Sequence, residues 1–149
     1  MRIVNLDREL LQMAVHLAAD RAFIERCRSA DFERLVLGHP GYAVIRGGEL
    51  VGAGGVVMHW PGLAEGWLLP SIFATRRDLV RATRGMRQWF DRLQQEPVYR
   101  RLEIRISAAA AWRSCWAKAI GFDAGQLLEA WGPDGSDHFL HARIAKGAS

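Results

Sequence analysis

The chain has 149 residues, half of them hydrophobic and 24% charged, with a formal net charge of +4. That composition predicts one globular domain over residues 1–149, able to bury about 68–70% of the surface its unfolded form exposes. No apolar run reaches the roughly 18 residues a membrane span needs, and Met1-Arg2-Ile3-Val4-Asn5-Leu6-Asp7 lacks the apolar block of a signal peptide, so a cytoplasmic protein with no membrane partner is expected.

The chain opens on a strand. Asp7 then suits the N-cap of a helix whose apolar positions Leu10, Leu11, Ala14, Val15 and Ala18 recur with helical period. A second helical stretch covers about Arg21 to Leu37, with a break expected near Ser29 to Asp31. It ends before Gly38-His39-Pro40-Gly41, whose glycines and proline stop a helix. Tyr42-Ala43-Val44-Ile45 reads as a strand, Gly47-Gly48 as a two-residue hairpin turn, and Leu50 to Met58 as the returning strand. Gly52, Gly54 and Gly55 inside that strand point to a bulge or a close backbone approach. They are not a phosphate loop, because no helix follows them.

His59-Trp60-Pro61-Gly62 reads as a loop, and a third strand of this group runs from about Gly66 to Phe73. Thr75 can N-cap the long helix after it, with Asp78 at the third helical position as a carboxylate variant of the capping box. The apolar stripe Leu79, Met86, Trp89, Phe90 and Leu93 carries that helix to Glu96, before Pro97. Arg101-Leu102-Glu103-Ile104-Arg105-Ile106 alternates charge with aliphatic, the pattern of a strand with one buried face. From Ala108 the period changes. Ala109, Trp112, Trp116 and Ile120 form one helical stripe, Gly121 suits the C-cap, and the chain returns to the sheet at Phe122. Two closing strands, joined by a Pro133-Asp134-Gly135-Ser136 turn, end at Ile144.

A sequence pI near 9.7 raises nucleic acid and anionic cofactors as partners. Nine of the eighteen arginines fall between Arg76 and Arg105, a stretch with four acids. On the long helix Arg77, Arg81, Arg84 and Gln88 share a face away from the apolar stripe, so a solvated outer face accounts for them. No aromatic platform interleaves with these arginines, which argues against nucleic acid. Cys27 and Cys115 have neither metal-ligand spacing nor the makings of a disulfide framework, so buried or idle thiols and no metal are expected. Trp67, Trp89, Trp112 and Trp116 sit on faces that read as core. Trp60, beside His59, and Trp131, beside Gly132, are candidates for lining an acceptor pocket.

The order strand, two helices, three strands, helix, strand, helix, two strands resembles the GNAT superfamily of N-acetyltransferases over nearly the whole chain. The residues that carry the likeness are the junction Ile72-Phe73-Ala74-Thr75-Arg76-Arg77, the helix end Ile120-Gly121-Phe122, and the closing hairpin through Gly135 to Ile144. The resemblance implies an α/β (α+β) fold: a central mixed, mostly antiparallel sheet flanked by helices. It also implies that acetyl-coenzyme A is bound, with its diphosphate at the amides from Thr75 to Leu79. A helix N-terminus suits a diphosphate in its own right, and Arg76 and Arg77 add full charges there. The cofactor-binding candidates are Leu69, Ser71, Ile72, Phe73, Thr75, Arg76, Arg77 and Arg81. The family's glycine-rich loop is replaced by Arg76-Arg77-Asp78-Leu79-Val80-Arg81-Ala82.

Direct acetyl transfer needs a base, an oxyanion donor and an acid for the leaving thiolate. The family commonly carries a glutamate near the strand before the long helix, which makes Glu65 the candidate base, with His59 and His39 as alternatives. Amides between Leu68 and Ser71 face the thioester in the resemblance, though Pro70 removes one donor. The family's tyrosine acid falls at Ala117 and its asparagine at Ala110; Ser114 or Cys115 is left as substitute. The same losses resemble small GNAT-like proteins of tailed phages, whose fold serves in the virion or on a host target. Two readings therefore stand: an acetyl-coenzyme A-dependent N-acyltransferase acting on a small-molecule or protein amine, and a non-catalytic binding module engaging a host or virion protein.

Overall fold

The computed structural model describes residues 1–19 and 30–147. Cys27 and the first part of the helical stretch expected from Arg21 to Leu37 lie outside the described residues. The strands are β1 (Arg2–Asn5), β2 (Gly41–Arg46), β3 (Glu49–Trp60), β4 (Leu63–Pro70), β5 (Arg101–Ser107), β6 (Gln126–Leu128) and β7 (His138–Ile144). The helices among the described residues are α1 (Arg8–Leu17), α2 (Ala30–Leu37), α3 (Arg76–Leu93) and α4 (Ala111–Ala119). One sheet holds the strands in the order β1-β2-β3-β4-β5-β7-β6. The expected element order and the mixed, mostly antiparallel sheet are both present, with β4 and β5 the parallel pair. The contacts divide the chain into two compact units, Met1–Val57 with Gly66–Ala82, and Met58–Glu65 with Thr83–Ser149.

In the first unit, β1 pairs antiparallel with β2, and β2 with β3 through the Gly47-Gly48 turn. Both turn glycines have positive φ, 55° and 81°, which a two-residue hairpin of the primed type requires. The β2–β3 register moves from Val44↔Gly52 to Ile45↔Leu50, so Val51 is the extra residue of a bulge. Gly52 and Gly54 mark close approaches: a Cβ on them would lie 3.0 Å from the Leu69 carbonyl oxygen and 2.9 Å from that of Trp67. Asp7 caps α1 by accepting from the Leu10 amide at 2.8 Å. The amphipathic face of α1 packs Ala14 onto Ala43, Leu50 and Ala53, with Val4, Leu6, Leu10, Leu17, Ile45 and Trp67 around them. Burial in this sheet pushes the Tyr42 phenol far above its usual range.

In the second unit, β5 pairs with β7 over seven residues and β7 with β6 over three. The alternation of β5 works as expected: Leu102 and Ile106 are buried on one face, and Arg101, Glu103 and Arg105 form an ion-paired row on the other. Helix α4 ends in a Schellman motif. The Phe122 amide reaches the Ala117 carbonyl at 3.1 Å and the Gly121 amide that of Lys118 at 3.0 Å, with Gly121 at φ +99°. Phe122 then packs edge-on against Phe90, ring centroids 5.5 Å apart. The Gln94 side-chain amide donates to the carbonyls of Tyr99, Arg100 and Arg143.

Several boundaries differ from the sequence reading. Strand β4 begins at Leu63, not Gly66, and ends at Pro70, leaving Ile72 and Phe73 in a turn. The hairpin before it needs only Pro61-Gly62, with Gly62 at φ +107°, so His59 and Trp60 complete β3 instead of forming a loop. Helix α4 starts at Ala111, three residues late, and its N-cap Ala110 supplies no side-chain cap. Cys115 is exposed, not buried.

Candidate active site

The second unit gathers the charged candidates. The parallel ladder of β4 on β5 places Glu65 directly beside Glu103, a like-charge pair that costs stability unless cations intervene. The alternation of β5 supplies them. Arg105 sits 2.7 Å from Glu65 Oε1 and 3.6 Å from Glu103 Oε1, while Arg101 Nε donates to Glu103 Oε2 at 2.8 Å. The Arg105 guanidinium also lies 5.4 Å from the ring centroid of Trp131, which in turn meets His138 edge-on at 5.0 Å. The closing hairpin holds that tryptophan in place, since the Ala130 amide donates to Asp137 Oδ1 at 2.8 Å.

Glu65 Oε2 is 2.8 Å from His59 Nε2. A carboxylate only accepts, so Nε2 carries the hydrogen, and the neutral ring keeps its acceptor lone pair at Nδ1. Both Glu65 oxygens are thus engaged, one by His59 and one by Arg105. The structure thus brings two of the sequence candidates, Glu65 and His59, together as one hydrogen-bonded pair, with the His59 side chain 41% exposed. Trp60, 59% exposed, and Trp131, 49% exposed, each adjoin one end of this row. His39 belongs to the first unit.

The helix N-terminus in the first unit carries a reciprocal cap. Asp78 Oδ2 accepts from the amide and the hydroxyl of Thr75, both at 3.0 Å, and the Asp78 amide donates to Thr75 Oγ1 at 3.1 Å. Asp78 is 2% exposed, and Arg46, reaching from the end of β2, pairs with it. Burial alone would raise the Asp78 carboxyl. The bonds from Arg46 and Thr75 outweigh burial and hold it below the usual carboxylate range.

The preceding turn is equally self-satisfied. The Ser71 amide donates to Val51, that of Ile72 to Leu17, that of Ala74 to Ser71, and that of Phe73 to Ser71 Oγ. The amides expected to cradle a diphosphate at Thr75, Asp78 and Leu79 are likewise bonded within the chain. What faces solvent is the side chains Arg76, Arg77 and Arg81, together with Ile72, Phe73 and Val80. The start of this helix thus offers a diphosphate the guanidinium charge of Arg76, Arg77 and Arg81, with the Thr75, Asp78 and Leu79 amides already bonded. Leu69 is buried in the sheet and packs on Ala18.

Ser114, the substitute acid, has a partner that sequence reasoning missed. Its hydroxyl lies 3.1 Å from Nε2 of His141, a fully buried residue of β7. Ala117 is buried and Ala110 caps nothing with its side chain. Among the described residues no three His, Cys, Asp or Glu side chains could hold a metal ion, and no helix is long and apolar enough to cross a membrane.

No family model and no curated protein matches this chain. Solved structures do. The ribosomal-protein-S18-alanine N-acetyltransferase from Escherichia coli superposes with a TM-score of 0.70 at 16% identity, over 99% of this chain and 96% of that one. A spermidine N-acetyltransferase SpeG chimera from Vibrio cholerae and hSSAT gives 0.70 at 10% identity, over 97% and 96%. Aminoglycoside acetyltransferase AAC(6')-Ib, in complex with coenzyme A and kanamycin, gives 0.68 at 13% identity, over 95% and 93%. The chain has the GNAT superfamily fold. The GNAT junction expected at Ile72 to Arg77 is the turn and first residues of α3, and the expected helix end at Gly121 is the Schellman motif of α4.

Proposed function

We propose that this protein is an N-acyltransferase that passes the acetyl group of acetyl-coenzyme A to an amine. The observation that carries the reading is the His59–Glu65 pair, a partly exposed histidine with one ring nitrogen fixed by a carboxylate. In this reading His59 Nδ1 takes the proton from the attacking ammonium. Glu65, held by Arg105, fixes the tautomer and stabilises the imidazolium that forms. In the first unit Arg76, Arg77 and Arg81 are the candidates to hold the diphosphate by charge; in the second unit Trp60 and Trp131, which flank the His59–Glu65–Arg105 row, are the candidates to meet the acceptor. Acetyl-coenzyme A, when bound, supplies the activated thioester carbonyl. The structural neighbours named for spermidine, a ribosomal-protein alanine and aminoglycosides support an amine as acceptor, small or carried on a protein.

A second reading rests on a different observation, the closed set of amides from Ser71 to Thr75. A helix start whose cap residue is already bonded to the chain's own carboxylate suits a GNAT fold used for binding, as in the phage-type proteins that act on a virion or host protein. Calorimetric titration with acetyl-coenzyme A and with free coenzyme A separates the two. Micromolar binding, worth about 8 kcal/mol, weakened in the Arg76→Ala/Arg77→Ala double variant, supports the acyltransferase. Micromolar binding that is unchanged in the double variant removes the assigned site, and absence of binding favours the interaction module.

A further inference from the structure

His141 is the only fully buried histidine among the described residues, and the acyltransferase reading gives it no part. Its Nδ1 lies 2.9 Å from the carbonyl oxygen of Asp123. A carbonyl only accepts, so Nδ1 carries the hydrogen and the neutral ring presents Nε2 as an acceptor. The group in front of Nε2 is the Ser114 hydroxyl, 3.1 Å away. The serine proton therefore points at the imidazole, not outward as a proton donor's would.

The ring is held in this orientation from several sides. Asp123 Oδ1 accepts from the Ala142 amide at 3.0 Å and the Gly125 amide at 3.1 Å, folding the 123–125 segment over the imidazole. Gly125, at φ +91°, allows that approach, since a Cβ there would lie 2.6 Å from His141 Cε1. A flipped ring would lose both hydrogen bonds. Ser114 itself is only half-buried, and its hydroxyl is the group that meets the sequestered base. An activated serine needs this order of parts: hydroxyl, imidazole, and an acceptor that fixes the imidazole tautomer.

We infer that Ser114 and His141 form an acyl-accepting serine centre whose substrates are activated acyl esters or thioesters. Ser114 Oγ attacks the acyl carbonyl carbon as its proton passes to His141 Nε2. The bond to the leaving alkoxide or thiolate breaks, and the imidazolium returns the proton to that leaving group. The products are an acyl ester on Ser114 and a free alcohol or thiol. Water activated by the same Nε2 then releases the acid and restores the hydroxyl. This chemistry uses neither the His59–Glu65 pair nor the arginines at the start of α3.

The test uses the full chain with Cys115→Ala, which removes the exposed neighbouring thiol. The protein is incubated with p-nitrophenyl acetate and, separately, with a fluorophosphonate, and peptides are read by mass spectrometry. The expected result is a single acetyl or phosphonyl group on Ser114, absent in Ser114→Ala. In His141→Asn, which keeps a donor for the Asp123 carbonyl but lacks the base, labelling should be slower by about 100-fold or more. Should His141→Asn fail to fold by circular dichroism, the pH dependence of labelling decides: a rate that rises through one ionisation supports the centre, and a flat rate overturns it. Label on Lys118 or elsewhere with Ser114 unmodified, or an equal rate in a folded His141→Asn, also overturns it. Acetyl-coenzyme A binding, measured apart, reports on the acyltransferase reading whichever way this test falls.

Discussion

At the scale of single residues, the polar groups work in pairs that combine distant parts of the chain. Glu65 meets Arg105 through one carboxylate oxygen and His59 through the other. In the acyltransferase reading, His59→Ala is expected to lower turnover by about 100-fold or more. Glu65→Gln, which removes the charge opposite the imidazolium, should lower it less and displace the limb of the pH–rate profile that reports the base. Profiles of both variants that superpose on the wild type would exclude the pair from proton transfer. Asp78 makes a prediction about stability. Its folded-state carboxyl lies below the unfolded value of 3.8, so its contribution is present above that pH and is lost as the pH falls through the folded value. Asp78→Asn is expected to destabilise by about 1–3 kcal/mol at neutral pH. Urea titrations should show that difference shrinking below pH 3.8; a difference that persists in acid would mean the cap does not depend on the charge.

At the scale of elements, the local signals were the readable ones. Asp7 and Thr75 announce α1 and α3 by cap chemistry, Gly47-Gly48 and Gly121 mark a turn and a helix stop by positive φ, and the period change at Ala108 separates β5 from α4. The long-range pairs were not readable, because they depend on register. Nothing in the sequence near Glu65 says that β5 will set Arg105 against it, or that β7 will bring His141 under Ser114. The start of β4 was misplaced for a related reason: a tight two-residue turn at Pro61-Gly62 leaves no loop for His59 to occupy. Two glycines in the first unit separate conformational from steric cost. Gly47→Ala meets no atom within 4 Å and bears only the left-handed φ, an expected loss of about 1 kcal/mol. Gly54→Ala drives a methyl against the Tyr42 ring and the Trp67 carbonyl, with an expected loss of about 1–3 kcal/mol or more. Denaturant midpoints of the two variants check the order, and equal losses would mean that β3 relaxes around Gly54.

At the scale of the whole molecule, a net charge of +4 with arginine outnumbering lysine nine to one leaves strong hydrogen-bonding cations on the surface. If exposed guanidinium groups, not buried amides, hold the diphosphate, its binding must be screened by salt. Acetyl-coenzyme A affinity is expected to fall by about tenfold as sodium chloride rises from roughly 0.05 to 0.5 M. Calorimetry at the two salt concentrations checks this, and an affinity indifferent to salt would place the diphosphate on neutral donors instead. The capped start of α3 has one further consequence. The Asp78 carboxylate is tethered to the helix it caps, so it competes for that site as a ligand at an effective concentration of about millimolar or above. At equal intrinsic affinity a free phosphate at micromolar concentration loses that contest by about a thousandfold. An anion displaces this carboxylate from the Thr75 amide and hydroxyl most readily as one arm of a multivalent ligand whose other contacts supply the rest of the affinity.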